Sequence, residues 1–281
     1  MKKLLFVFSA LALVLGSCSK SDPATVAPED PAVIVPPVVS NILVSKIVTS
    51  SSGQINTENN TYNGNKLLEV VSTDGDKTKY TYTGNLITKI EEFSGTTLNY
   101  SETLTYNTDE KLSTYVKIDY NALTSINGFK VVYTYDNIGN ILFTAFTGTA
   151  ASQTIQNNTG KAFVTSGSIT KIENYYPPNV LGSQAYTTTA TITYDDKIFS
   201  GINVTGFNKL TLQGTDLGFG GSTHNIAIET IKNGAVLTST DESTYTYNAN
   251  NFPITEININ KSYNTNGQVV NTASLSNAIF Y

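Results

Sequence analysis

The 281-residue chain contains no Trp and no Arg, so all 17 of its basic residues are Lys. Cys, Met and His occur once each. A single cysteine excludes a disulfide scaffold, and one Cys with one His cannot supply a structural zinc site. Charged residues make up only 14%, and 22 acidic side chains leave a formal charge of −5. That balance excludes the basic, phosphate-gripping face of a nucleic-acid binder. Helical periodicity is missing too: from Ile42 onward no run of ten or more residues carries apolar side chains at helical spacing. What the chain does hold is 40% hydrophobic residues, 17 Tyr and 12 Phe, enough to bury a core along most of its length. Thr (41) and Asn (30) far exceed ordinary usage.

Lys2 and Lys3 precede an apolar run from Leu4 to Leu15 that is too short to span a bilayer. The run ends Leu15-Gly16-Ser17-Cys18, which resembles the lipobox of bacterial lipoprotein signal peptides. Small residues let the extended backbone enter a peptidase cleft, and the thiol takes the lipid. Residues 1–17 are therefore expected to be a lipoprotein signal peptide and Cys18 the lipidated first residue of the mature chain. Acyl chains contribute ~0.8 kcal/mol per buried CH₂, enough for stable anchoring without a spanning helix. The mature chain would carry 15 lysines against 22 acidic residues, a charge of −7. Ser19 follows where an inner-membrane lipoprotein would carry Asp, so the resemblance implies the outer membrane of a diderm bacterium. Both the cell surface and the periplasmic face stay open. Residues 18–41 hold Pro23, Pro28, Pro31, Pro36 and Pro37, five of the chain's eight prolines. At this density polyproline II is favoured, at ~3.1 Å per residue, giving a tether of up to roughly 70 Å.

Residues 42–281 are predicted to form one domain. Alternation with period two recurs through it, as expected of strands. Leu112, Thr114, Val116, Ile118 and Tyr120 fall on one predicted face, with Ser113, Tyr115, Lys117 and Asp119 on the other. Ile257, Ile259 and Tyr263 alternate with Asn258, Asn260 and Ser262. Between such runs lie Asn63-Gly64, Gly84-Asn85, Asn127-Gly128, Gly139-Asn140, Asn233-Gly234 and Asn266-Gly267, pairs that tolerate the positive φ of tight hairpin turns. An antiparallel meander follows. Aligning the turns exposes a repeat: an aromatic strand, a short polar turn, an aliphatic strand. Tyr62, Tyr82, Tyr106, Tyr135, Thr165, Tyr194 and Tyr247 anchor it at steps of 20, 24, 29, 30, 29 and 53 residues. The last step is read as two units, with a degenerate copy near His224 to Leu237. Seven or eight units imply about 14–16 strands, and a sheet of that size must curl, split or close.

Tyr133 to Ile141 reads Tyr-x-Tyr-Asp-x-x-Gly-Asn-Ile, which resembles the tyrosine–aspartate (YD) repeat of Rhs-type and teneurin proteins. The combination of lipobox, Pro-rich stalk and degenerate copies over residues 60–260 resembles an uncharacterised family of bacterial lipoproteins with a porin-like fold. The Asp is kept at Tyr135-Asp136 and Tyr194-Asp195, whereas Tyr62, Tyr106 and Tyr247 precede Asn, which favours the lipoprotein family. The expected fold class is therefore all-β: a long curved antiparallel up-and-down meander of repeated hairpins, half-open or barrel-like.

Candidate chemistry is sparse. His224 is the one histidine, and a lone loop histidine seldom acts as base or ligand. Asp74-Gly75-Asp76 and Asp195-Asp196 match no calcium-loop spacing and read as turns. Glu91 and Glu92 are adjacent in a predicted strand and so point to opposite faces. The recurring tyrosines read as a structural ladder rather than a sugar platform. No catalytic residue, cofactor or metal site is expected. Thr, Asn, Lys and Glu on both faces of several strands argue against a lipid-facing wall. The expected role is a non-enzymatic, lipid-anchored envelope scaffold that binds a glycan or protein. An outer-membrane-associated barrel or channel, and a purely structural envelope component, are the alternatives. Oligomeric state is not legible in the chain.

Overall fold

The computed structural model describes residues 42–178, 184–210, 212 and 223–281; the expected signal peptide, Cys18 and tether lie outside the described residues. Sixteen strands follow one another along the chain: β1 (Lys46–Ser51), β2 (Gln54–Asn63), β3 (Lys66–Ser72), β4 (Asp76–Thr83), β5 (Leu86–Ser94), β6 (Thr97–Tyr106), β7 (Leu112–Asp119) and β8 (Gly128–Tyr135). They continue as β9 (Ile141–Thr149), β10 (Ser152–Thr165), β11 (Ser168–Tyr176), β12 (Tyr186–Tyr194), β13 (Ile226–Asn233), β14 (Val236–Tyr247), β15 (Pro253–Tyr263) and β16 (Val269–Phe280). Each pairs antiparallel with its chain neighbours, and β1 pairs with β16 from Lys46↔Phe280 to Ser51↔Leu275. The sheet is therefore a closed barrel, and the half-open form is excluded. The helical content of the described residues is one 3-10 turn, Phe207–Lys209.

Alternate turns lie at opposite ends of the wall. The turns after β2, β4, β6, β8, β10, β12 and β14, together with Ile42 and Tyr281, define an end that we call the base. The other turns form the rim. Several base turns share one device. The Asx residue after the strand-ending tyrosine accepts backbone N–H groups of the turn: Asn107 from Asp109 and Lys111, Asp136 from Ile138 and Asn140, and Asn248 from Asn250 and Phe252. This is the Asx turn, in which a short side chain replaces a backbone acceptor. Three residues after the Asx, Glu110, Gly139 and Asn251 take left-handed φ of 57°, 88° and 63°. Asn127-Gly128, predicted as a turn, instead opens β8. A Cβ on Gly128 would stand 2.4 Å from the Thr149 carbonyl oxygen, so only glycine fits there.

The repeat also carries a bulge. Register shifts recur at Thr61/Tyr62, Thr81/Tyr82, Thr105/Tyr106, Phe163/Val164, Thr193/Tyr194 and Thr246/Tyr247. At each, two residues of one strand face one of its partner, which bends the strand and raises its twist. The bulge also resets the alternation. Leu112 and Tyr115 are both buried in the interior cluster, so the prediction that they lie on opposite faces is wrong, because the bulge at Ser113 puts two residues rather than one between them.

The 53-residue step from Tyr194 to Tyr247 is one hairpin, not two. β12 and β13 are joined by residues 195–225, whose described part packs in the barrel at the base. Val204, Phe207, Leu210 and Leu212 join one buried cluster with Leu67, Ile87, Leu104, Leu112, Val131, Ile141, Ile169 and Ile192 of the wall. Eight hairpins result, with Tyr281 as the eighth anchor and Thr165 the one position of the set not held by tyrosine.

Candidate functional site: the barrel interior

The tyrosines stitch neighbouring hairpins together. Tyr62 donates to the Val44 carbonyl (2.9 Å), Tyr106 to Ile87 (2.7 Å), Tyr135 to Leu112 (2.8 Å), Tyr194 to Ile169 (2.7 Å) and Tyr281 to Pro253 (2.8 Å). Ile87, Leu112, Ile169 and Pro253 are the residues at which the bulges begin, so each hydroxyl satisfies a carbonyl at a distorted stretch of ladder. Burial pushes the Tyr62 and Tyr135 hydroxyls up to about 12, so they stay neutral donors. Tyr82 is the exception: its buried hydroxyl lies beside the Leu67 backbone but closes no hydrogen bond of ordinary geometry.

The base segment is held from several strands at once. Asn65 and Asn203 form the tightest knot. Asn65 Nδ2 donates to the Asn203 carbonyl (3.0 Å), its own carbonyl accepts from Thr205 N (2.8 Å), and Asn203 Nδ2 reaches the Ile42 carbonyl (2.9 Å). Tyr133 donates to the Leu212 carbonyl at 2.5 Å. Phe207 packs 6.2 Å from the Tyr80 ring, and Lys209 pairs with Glu110 at 3.1 Å. Gly206, at φ 82°, passes so close to β5 that a Cβ would lie 2.8 Å from the Asn85 carbonyl oxygen.

The predicted site residues divide among structural roles. His224 Nδ1 is hydrogen-bonded to the Lys197 carbonyl (2.8 Å) and ties the base segment to itself. Asp195 caps its loop through Lys197 N and Asn225 N and accepts from the Tyr247 hydroxyl. Asp74 accepts from Asp76 N in a turn, and Asp76 accepts from Ser94 Oγ. Glu91 pairs with Lys89 (2.6 Å) on the outer face, while Glu92 faces inward. The Asp of the tyrosine–aspartate motif, Asp136, holds its turn; hydrogen bonds from Asn140 and then from Lys161 keep its carboxyl down at about 2. The described residues contain no group of three or more His, Cys, Asp or Glu placed to hold a metal.

Sequence reasoning missed the segregation of charge across the wall. Register places Glu58, Asp76, Glu92, Glu102, Asp119, Glu229, Asp241 and Glu256 on the inner face, with Lys117, which pairs with Glu102 at 3.3 Å. Lys46, Lys77, Lys79, Lys89, Lys130, Lys161, Lys171, Lys232 and Lys261 fall on the outer face. There they meet Glu69, Glu91, Glu173 and Glu242 in ion pairs of 2.6–4.0 Å and lie over Phe93, Phe146, Phe163 and Phe280. Hydroxyl pairs such as Thr83–Thr88 (3.2 Å), Thr165–Thr170 (3.2 Å) and Thr246–Thr255 (2.6 Å) fill out the same surface. Inside, β13–β16 and β1–β2 carry a polar network. Asn258 and Asn260 donate to Asp241, while Ser243, Tyr245 and Asn277 donate to Glu256, and Thr49 donates to Asn277 (2.7 Å). The interior is thus apolar where β3–β12 pack against the base segment, and it carries acidic side chains on β4–β7 as well as on β2 and β13–β15. A groove of about 530 Å³ also crosses the outer face of β8–β12, but its charged residues are already engaged, Lys161 by Asp136 (3.1 Å) and Glu173 by Lys171 (2.8 Å).

This architecture has solved relatives in shape. A porin-like protein from Bacteroides vulgatus superposes with a TM-score of 0.55 at 12% identity, covering 85% of this chain and 98% of that one. A porin-like protein from Bacteroides uniformis gives 0.48 at 13% identity, with the same coverage. The chain has a porin-like fold. No protein-family profile matches it, and no curated protein does.

Proposed function

We propose that this protein is a non-enzymatic, lipid-anchored envelope protein whose barrel works in water as a binding cup. The observation that carries this reading is the charge on the outer wall. A lysine at the midplane of a lipid-facing barrel strand costs ~2–4 kcal/mol, and here ion pairs such as Lys89–Glu91 and Lys171–Glu173 sit within strands on that surface. Ile42 stands at the base, so a tether from Cys18 enters at the end that the base segment fills. The rim then faces away from the membrane and offers the acidic inner wall to a glycan or protein partner. The test is solubility: a form lacking Cys18 should purify as a folded β-protein without detergent. A requirement for detergent would overturn the reading. A spanning channel is the second reading, favoured by the closed sixteen-strand wall. It predicts stable ion conductance in planar bilayers, which the cup does not.

A further inference from the structure

Tyr176 and Tyr186 stand outside the tyrosine ladder. They end the β11–β12 pairing at the rim, directly opposite each other. The register runs unbroken from Tyr176 to Ile172, which is buried in the interior cluster, so both rings belong to the inner face at the mouth of the barrel. The rings are stacked, 4.6 Å apart with 10° between their planes. Tyr186 is 42% exposed, so the pair reaches solvent at the mouth. Pro177 and Pro178 follow Tyr176. The residue before a proline is held in extended backbone, so the pair is in place before a ligand arrives. Further down the inner face, Asn174, Thr188 and Asn233 sit side by side on β11, β12 and β13. Strands are about 4.8 Å apart, so this row spans roughly 10 Å. Asn158 Nδ2 donates to Asn174 Oδ1 at 3.0 Å, which orients that amide. The mouth thus sets an aromatic surface beside a row of amides and a hydroxyl, groups that both donate and accept hydrogen bonds.

We propose that Tyr176, Tyr186, Asn174, Thr188 and Asn233 bind an uncharged oligosaccharide, one sugar ring lying on the tyrosine pair. The inference rests on the reading of the barrel as a cup and names the class of its ligand. The face of an aromatic ring is electron-rich and attracts the polarised C–H groups on the flat side of a pyranose. Amides and hydroxyls match sugar hydroxyls, which also donate and accept. Carboxylates predominate on the inner face, Asp241 and Glu256 among them, and repel an anionic polymer. A peptide adding as a strand has no free edge to join, because β1 and β16 close the wall. Tyr120 lacks this setting: it is 53% exposed but stands on the convex side, hydrogen-bonded to Ser101 (3.1 Å).

The experiment is titration calorimetry on the full chain, in micelles of a detergent without a sugar headgroup. The probes are cellohexaose, maltohexaose, mannohexaose and xylohexaose, with hexagalacturonate as the anionic control. At least one neutral probe is expected to bind, and more tightly than hexagalacturonate. Tyr186→Ala should weaken that binding roughly tenfold, the usual weight of a central aromatic contact, whereas Tyr186→Phe keeps the ring and most of the affinity. Asn233→Ala should weaken it to a smaller degree, and Tyr120→Ala should leave it unchanged. Absence of binding by every neutral probe at millimolar concentration, preference for hexagalacturonate, or unaltered binding by Tyr186→Ala would each overturn the proposal. Should Tyr186→Ala fail to fold, nitration of the wild type by tetranitromethane decides. A bound neutral probe should slow modification of Tyr186 but not of Tyr120, as read by peptide mass spectrometry, and equal rates at Tyr186 with and without the probe place the sugar elsewhere and overturn the site. A Cys18-lacking barrel that is soluble yet binds no neutral probe removes this inference alone, whereas a detergent requirement removes the cup.

Discussion

Tyr82 and Tyr106 hold equivalent places in successive hairpins, yet only the Tyr106 hydroxyl closes a well-formed hydrogen bond. Tyr106→Phe deletes the bond to the Ile87 carbonyl and should cost about 1 kcal/mol in urea unfolding, the usual net worth of such a bond. Tyr82→Phe removes a buried hydroxyl that closes no well-formed bond to the nearby Leu67 backbone and should cost less than Tyr106→Phe. Equal losses from the two substitutions would show that the hydroxyls do not bridge hairpins. Gly139 offers a different measure. Its left-handed φ of 88° and the open space around it mean that Gly139→Ala is opposed by backbone strain alone. About 1–2 kcal/mol of destabilisation is expected from the same denaturation curve. Glu229 sets a pH dependence. Burial first, and then the charge of Asp241, raises its carboxyl from the usual carboxylate range when unfolded to about 7 in the folded protein. Between those values the folded state holds the extra proton, so stability falls as pH rises from about 4.5 to 7 and stays low above. Glu229→Gln should flatten this slope and stabilise the protein at pH 8, by roughly 2–3 kcal/mol, as read by thermal unfolding in metal-free buffer.

At the scale of elements, the strands and base turns were legible because each is marked locally. Tyr-x-Tyr supplies the aromatic strand end, the following Asn or Asp caps the turn, and a glycine or asparagine takes the positive φ. The faces were not legible. Each bulge adds one residue to a strand, and a single insertion moves every later side chain to the other side of the wall. Leu112 and Tyr115 therefore share the interior despite their odd spacing. The base segment was misread for a related reason. Residues 195–225 retain scattered turn residues, so they resemble a worn hairpin, whereas Val204, Phe207, Leu210 and Leu212 pack against a surface that no local pattern announces. Phe207 is the deepest aromatic among the described residues of the segment, 3% exposed among wall residues from several strands. Phe207→Ala should cost about 3 kcal/mol or more and increase binding of a hydrophobic dye at the base. A change within experimental error would mean that the segment is not part of the core.

For the whole molecule, length and repeat count pointed to 14–16 strands, but nothing in the residues of β1 or β16 marks them as partners. Closure is a property of summed twist and stagger, and the acidic inner wall exists only once closure has chosen an inside. Protease shaving of intact cells tests the placement: cleavage of the Pro-rich stretch is expected if the cup faces outward from the surface, and protection assigns it to the periplasm. The pairing of Lys46–Ser51 with Leu275–Phe280 also has a kinetic consequence. These partners are separated by more than 220 residues, so the final zippering must wait until every intervening hairpin has formed. Until then both lateral margins display unpaired backbone to any neighbouring chain. The slowest step in reaching the native state, and the one most open to domain-swapped or fibrillar side products, should be the meeting of those two margins.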